Sequence, residues 1–181
     1  NFIHGIYNYP KAMGWDHQIK EAIAANTNLK YIKNLSKISN SKLDFNSYSS
    51  LNVGTIFTDI ATGMFARIGF KELSKNYNTV AFGSNLNSSK TKTLSESFVF
   101  IKPLFHYVLY DATIQGSFLN KSSPVTYDIM PFKFTLELGY RYSYNRFSYG
   151  YTYHYHTKKL KSSRVKNSNN YGSISISYYF N

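Results

Sequence analysis

The sequence contains no cysteine, one tryptophan, and only 9 acidic residues against 21 lysines and arginines. Without cysteine there is neither a disulfide framework nor a thiolate-held metal. No apolar run reaches the roughly 18 residues that a membrane-spanning helix needs, which excludes that mode of crossing a bilayer. The chain opens Asn1-Phe2-Ile3-His4, with no basic stretch followed by an apolar one, so no signal peptide is visible. Neither a Ser-His-Asp order nor a phosphate-cradling glycine loop occurs, and a serine-nucleophile hydrolase finds no support.

What the chain has instead is aromatic residues in strict alternation. There are 18 Tyr and 14 Phe, and mean hydropathy is −0.37 although 43% of residues are hydrophobic. From Phe132 to Tyr144 every second residue is Phe132, Phe134, Leu136, Leu138, Tyr140, Tyr142, Tyr144, and Lys133, Thr135, Glu137, Gly139, Arg141, Ser143 lie between them. After a tight Asn145-Arg146 turn the pattern resumes with Phe147, Tyr149, Tyr151, Tyr153 and Tyr155, and the chain closes with Ile174, Ile176, Tyr178 and Phe180. Successive strand residues point to opposite faces, so each strand has one apolar and one polar face. The apolar face is aromatic near its ends and aliphatic midway, as expected between two aromatic girdles. Phe132 to Tyr144 spans roughly 40 Å at about 3.4 Å per residue. That length suits a tilted membrane strand of about 9–11 buried residues with projecting ends. A soluble sandwich or lipocalin-like barrel is the alternative, though its strands usually run about five or six residues.

Strands are expected at about 28–38, 43–56, 59–70, 96–109, and the three named above, with Thr58 and Asp59 marking a turn. Short turns (56 to 59, 144 to 147) and long polar connections (71–95, 110–131, 157–169) alternate along the chain. Such alternation is expected of an outer-membrane barrel with short periplasmic turns and long extracellular loops. An odd count of seven strands would leave edges unpaired in lipid, so strands are expected to be missing upstream. Residues 1–27 are not strand-like and hold a helical turn at Asn1–Tyr7 and a bend at Pro10. The reading is a single β-barrel domain over 1–181, N-terminally incomplete: a loop and helix segment over 1–27, then membrane strands and loops over 28–181.

The net charge of +12 calls for a polyanion. Cations collect between strands, at Lys90 and Lys92 and at Lys158-Lys159-Leu160-Lys161 with Arg164 and Lys166. For nucleic acid, aromatics should stand among the basic residues on a solvated face. Here they share a face with Leu and Ile, so the phosphorylated lipid of an outer leaflet fits better. His154 and His156 share the polar face of one strand and read as a lumen-facing or rim pair rather than a metal site. His17, beside Asp16, reads as a surface residue, and Asp111 and Asp128 as turn caps rather than calcium ligands.

Four elements, in order, carry a family resemblance. They are His4 followed by Gly14-Trp15-x-x-Gln18-x-x-Glu21, the hairpin from Gly54 through Arg67-Ile68-Gly69, the segment from Tyr153 to Leu160, and the ending from Tyr171 to Phe180. Together they resemble the LpxR family of outer-membrane lipid A 3'-O-deacylases, over the C-terminal half to two-thirds of a member. The resemblance implies a twelve-stranded antiparallel barrel of the bacterial outer membrane, of which this chain holds about seven strands. It implies a monomer acting on lipopolysaccharide, with calcium-dependent hydrolysis of the 3'-linked acyloxyacyl ester of lipid A. His4 matches the catalytic histidine, proposed in the family to act as general base on a water while calcium stabilises the oxyanion. The sequence departs from the family where Ile6 to Lys11 contains no carboxylate and where Lys159-Leu160 replaces Glu-Phe. The family's calcium ligands fall in strands that this chain does not contain. The expectation is therefore a truncated or split piece, inactive in isolation. A non-enzymatic porin or adhesin-like barrel is the second functional reading.

Overall fold

In the computed structural model the described residues are 23–36, 42–74, 95–119 and 126–178. They form one antiparallel sheet in which each strand pairs only with its sequence neighbours: β1 (Asn26–Asn34), β2 (Leu43–Gly54), β3 (Phe57–Gly69), β4 (Glu96–Asp111), β5 (Phe132–Tyr144), β6 (Phe147–Thr157) and β7 (Ser168–Tyr178). A single helical turn, α1 (Ala112–Gln115), follows β4, with the Asp111 carboxylate accepting from Thr113 N as its cap. The all-β antiparallel expectation holds, with seven strands. Among the described residues the sheet is open, with β1 and β7 as its edges.

The alternation in the sequence becomes two unlike faces. One face carries Phe105, Phe132, Tyr151, Ile174 and their neighbours, and these large apolar side chains are exposed: Phe132 by 74% and Ile174 by 80%. The other buries Arg67, Phe98, Glu96 and Asn46 almost completely. With no second layer among the described residues, burying one face requires the sheet to curl. A cavity on that side is lined by both Lys30 of β1 and Arg141 of β5. An apolar outer face backed by a buried polar inner face inverts a soluble protein and matches a barrel wall facing lipid.

The inner face is graded along the strands. Near the Asn145-Arg146 turn it is packed by Phe65, Phe98 and Phe100, with Leu73 against them. There the Arg67 guanidinium pairs with Asp44 and with Glu96 at 3.2 Å, and lies 5.4 Å from the Phe98 ring centroid. Toward the other rim the inner face turns polar.

Several strand boundaries differ from the sequence expectation, β1 among them, which runs Asn26–Asn34 and not 28–38. The β2–β3 turn falls at Thr55-Ile56, and Thr58 and Asp59 are in β3. The Asn26 side chain fixes the turn there, its Oδ1 accepting from Ile56 N at 3.3 Å and Phe57 N at 3.0 Å. β4 continues to Asp111, where the register against β3 slips by one residue near Leu109. Pro103 sits inside β4, where the ladder with β3 passes from Gly63↔Leu104 to Ala66↔Ile101 in unchanged register. Proline has no N–H to give that ladder. The Asn145-Arg146 turn is as expected, with Asn145 at φ 53°, a left-handed conformation asparagine tolerates.

The expected segregation of short turns from long loops is overturned. The Thr55-Ile56 turn lies at the same end of the sheet as the long connections 112–131 and 158–167. The Asn145-Arg146 turn lies at the opposite end, with 35–42 and 70–95. Alternation in chain order does not separate the two sides, because a connection changes side at every strand, and both rims carry one short turn.

Candidate functional site

The polar half of the inner face, at the Thr55 rim, is the candidate site. Its wall is a row of side chains hydrogen-bonded from strand to strand. Asn28 donates to Asn52, and Asn52 Nδ2 donates to Asp59 Oδ1 at 2.7 Å. Asp59 Oδ2 lies 3.4 Å from His106 Nδ1, and His106 Nε2 lies 3.1 Å from Thr135 Oγ1. The register places these residues side by side, Asn28↔Asn52 and Asn52↔Asp59, while His106 reaches Thr135 diagonally from Lys133. With the Nδ1 proton toward Asp59, Nε2 accepts from the Thr135 hydroxyl, an assignment that follows from the partners.

Acid, imidazole and hydroxyl in series have the connectivity of a nucleophile relay. Thr135, however, is 3% exposed, so a substrate carbonyl has no approach to it. The row is a structural belt across five strands. Sequence reasoning missed it because it assigned Asp59 to a turn. The signal that could have found it is parity: with the turn at Thr55-Ile56, Asn52 and Asp59 fall on one face.

Beyond Thr135 the row continues in rings. His154, His156 and Tyr171 stack on the inner face of β6 and β7, with His154–Tyr171 centroids 4.7 Å apart and His156–Tyr171 centroids 5.5 Å apart. His154 Nε2 meets Ser173 Oγ at 2.9 Å, and His156 Nε2 meets the Tyr171 hydroxyl at 3.3 Å. The pair therefore faces inward, as the sequence suggested. No group of three or more His, Asp or Glu able to hold a metal occurs among the described residues.

Among the described residues each inner carboxylate is occupied. Glu137 accepts from Lys102 Nζ at 2.9 Å, its direct cross-strand neighbour. Asp111 caps α1 and faces Lys159 Nζ at 3.4 Å. The Asp128 carbonyl accepts from Lys161 N beside the Ile129↔Leu160 bridge. His4, the Gly14-Trp15 motif, His17, Lys90, Lys92 and the terminal Phe180 and Asn181 lie outside the described residues.

The sequence matches the family model described as "Outer membrane protein LpxR" over residues 1–180. No curated protein sequence matches it. Among solved structures, the fold is similar to LpxR from Salmonella typhimurium with a TM-score of 0.67 at 17% identity. That likeness covers 99% of this chain but 60% of the Salmonella chain. At such identity the structural match speaks for the fold, and the family model carries the membership. An apolar face turned outward, a curled antiparallel meander and the match over 1–180 converge: this chain is a member of the LpxR family of outer membrane proteins.

Proposed function

We propose that the protein acts as a lipid A 3'-O-deacylase, hydrolysing the 3'-linked acyloxyacyl ester of lipopolysaccharide in the outer leaflet. The observation that carries this reading is the family match over residues 1–180, which includes His4 ahead of Gly14-Trp15-x-x-Gln18. In the proposed reaction the His4 imidazole takes a proton from a water, and the water oxygen adds to the ester carbonyl. The sugar alkoxide then leaves and takes the proton back, freeing the fatty acid. Imidazole suits this exchange because its ordinary pKa is near 6.5.

Calcium belongs to the proposal as the cation that would meet the charge developing on the carbonyl oxygen. The described residues do not offer it a cradle, since their inner carboxylates are already bound by Asn52, Arg67, Lys102 and Lys159. Its ligands would come from elsewhere. The strands completing a twelve-stranded monomeric barrel stand in the same position.

A porin or adhesin-like surface barrel without chemistry is the second reading, favoured by the absence of a carboxylate between Ile6 and Lys11. The deciding measurement is a mass spectrum of lipid A from an outer-membrane host expressing the complete reading frame around this chain. A His4→Ala variant and a calcium-chelated membrane assay run beside it. Loss of the 3'-acyloxyacyl mass that disappears in both controls is the expected result. Unchanged lipid A from a properly inserted barrel would establish the second reading.

A further inference from the structure

The ladder between β5 and β6 comes apart at the Thr55 rim. Its last regular pair is Thr135↔His156. Next, Phe134 N donates to the Thr157 side-chain oxygen at 2.9 Å in place of a backbone carbonyl. Pairing resumes where Met130 N donates to Lys159 O at 2.7 Å, beside the isolated bridge Ile129↔Leu160. Residues 131–133 on one side thus face Lys158 alone on the other. Bulges of this kind sit at barrel rims and re-aim side chains.

A pocket of about 440 Å³ opens there, in the size range of small-ligand sites. Its lining is mixed in a particular way. Phe105, Phe132, Phe134 and Met130 supply an apolar floor, and Lys133 and Lys158 supply cations. By parity the three phenylalanines belong to the lipid-facing side and Lys133 to the inner side, so the pocket straddles the wall. Lys133 is half-buried yet has no hydrogen bond or ion pair among the described residues. Lys158 reaches only the Ser162 carbonyl, at 3.3 Å.

We propose that this rim pocket binds a polyphosphorylated glycolipid of the outer membrane. An acyl chain lies over the phenylalanines, and a phosphate sits between Lys133 and Lys158. Three observations select that occupant. The apolar floor continues the exposed lipid-facing surface, so a chain reaches it without leaving the membrane. A half-buried lysine that meets Asp59 and Asp111 only from beyond ion-pair distance leaves room for an anion in direct contact. The adjoining connection adds exposed Lys159, Lys161, Arg164 and Lys166, of which only Lys159 meets a carboxylate. A lipid with one phosphate would leave most of these cations unmatched, whereas several phosphates match them. The inference deepens the deacylase reading by assigning residues to hold its substrate class, and it rests on that reading for the choice of glycolipid.

The test is equilibrium binding, without turnover, to the full-length protein in detergent. The probes are bis-phosphorylated lipid A, its dephosphorylated form, and phosphatidylglycerol. Lys133→Gln should weaken phosphorylated lipid A roughly five-fold, and Lys133→Gln with Lys158→Gln roughly 25-fold, from the attraction expected of each lysine near a membrane surface. Lys30→Gln, which removes a solvent-exposed inner lysine on β1, should change nothing, and retained heat-modifiable migration confirms folding. Phe134→Ala should weaken both lipid A forms alike. Equal losses in the Lys30 and Lys133 variants, or no loss in either, would overturn the proposal. Phosphatidylglycerol binding as tightly as lipid A would overturn the choice of occupant. The His4→Ala protein should bind normally, so a failed deacylation assay and a failed binding assay are separate results.

Discussion

Replacing Arg67 with methionine should be the most damaging single change in the described sheet. The Arg67 side chain is 0% exposed, and those of Asp44 and Glu96 are 9% and 1% exposed. Arg67 Nε lies 3.0 Å from Asp44 Oδ1, its NH2 group donates to Ser74 O at 3.0 Å, and Ser74 N donates to Glu96 Oε1 at 3.1 Å. One guanidinium thus holds two carboxylates and the start of the β3–β4 connection. Methionine fills similar space but leaves both carboxylates buried without their cation. Removing one partner of a buried pair costs about 3–5 kcal/mol, because the remaining charge stays desolvated. With a urea slope of about 2 kcal/mol per molar, the unfolding midpoint should fall by roughly 2 M. Far-ultraviolet circular dichroism and heat-modified gel migration of the detergent-folded protein would follow the transition. Arg67→Lys should fall between, since an ammonium keeps the charge but loses the planar fork. Adding Asp44→Asn and Glu96→Gln to Arg67→Met should restore most of the loss. A loss under about 1 kcal/mol for Arg67→Met would refute the reasoning, as would a triple variant no better than the single.

Two further perturbations test the faces and the close packing. Leu138→Arg, midway along the lipid side of β5, should destabilise the inserted protein by about 2–4 kcal/mol, while Asn169→Arg on the inner side of β7 should cost little; equal costs in a lipid-vesicle unfolding assay would contradict the assignment of faces. Gly63→Ala would bring a Cβ within 2.1 Å of the Pro103 carbonyl oxygen, so about 1–3 kcal/mol should be lost, and an unchanged urea midpoint would mean that β3 and β4 are further apart than described.

Much of the wall was legible in the residues. Phe132–Tyr144 and Phe147–Tyr155 were readable because each obeys a strict period of two, and the lipid-facing set follows from parity. The inner face was less legible because it mixes Phe65, Phe98 and Phe100 with Arg67, and no single-strand pattern says which of these meet. Asp59 illustrates the difficulty: a three-residue shift of the β2–β3 turn, from Thr58-Asp59 to Thr55-Ile56, converts it from a turn residue into the middle of a five-strand hydrogen-bonded belt. The side on which each connection emerges was misread for a related reason, since loop length carries no record of strand direction.

The sequence by itself determined the membrane class, the strand faces and the family, because alternation and ordered motifs are properties of the chain read in one dimension. Only the tertiary structure decided that Arg67 bridges Asp44 and Glu96, that His106 joins Asp59 to Thr135, and that β5 and β6 part at Lys133. Each of these depends on register between strands, which is set by side-chain partners such as Asn26 at a turn rather than by any pattern within a strand.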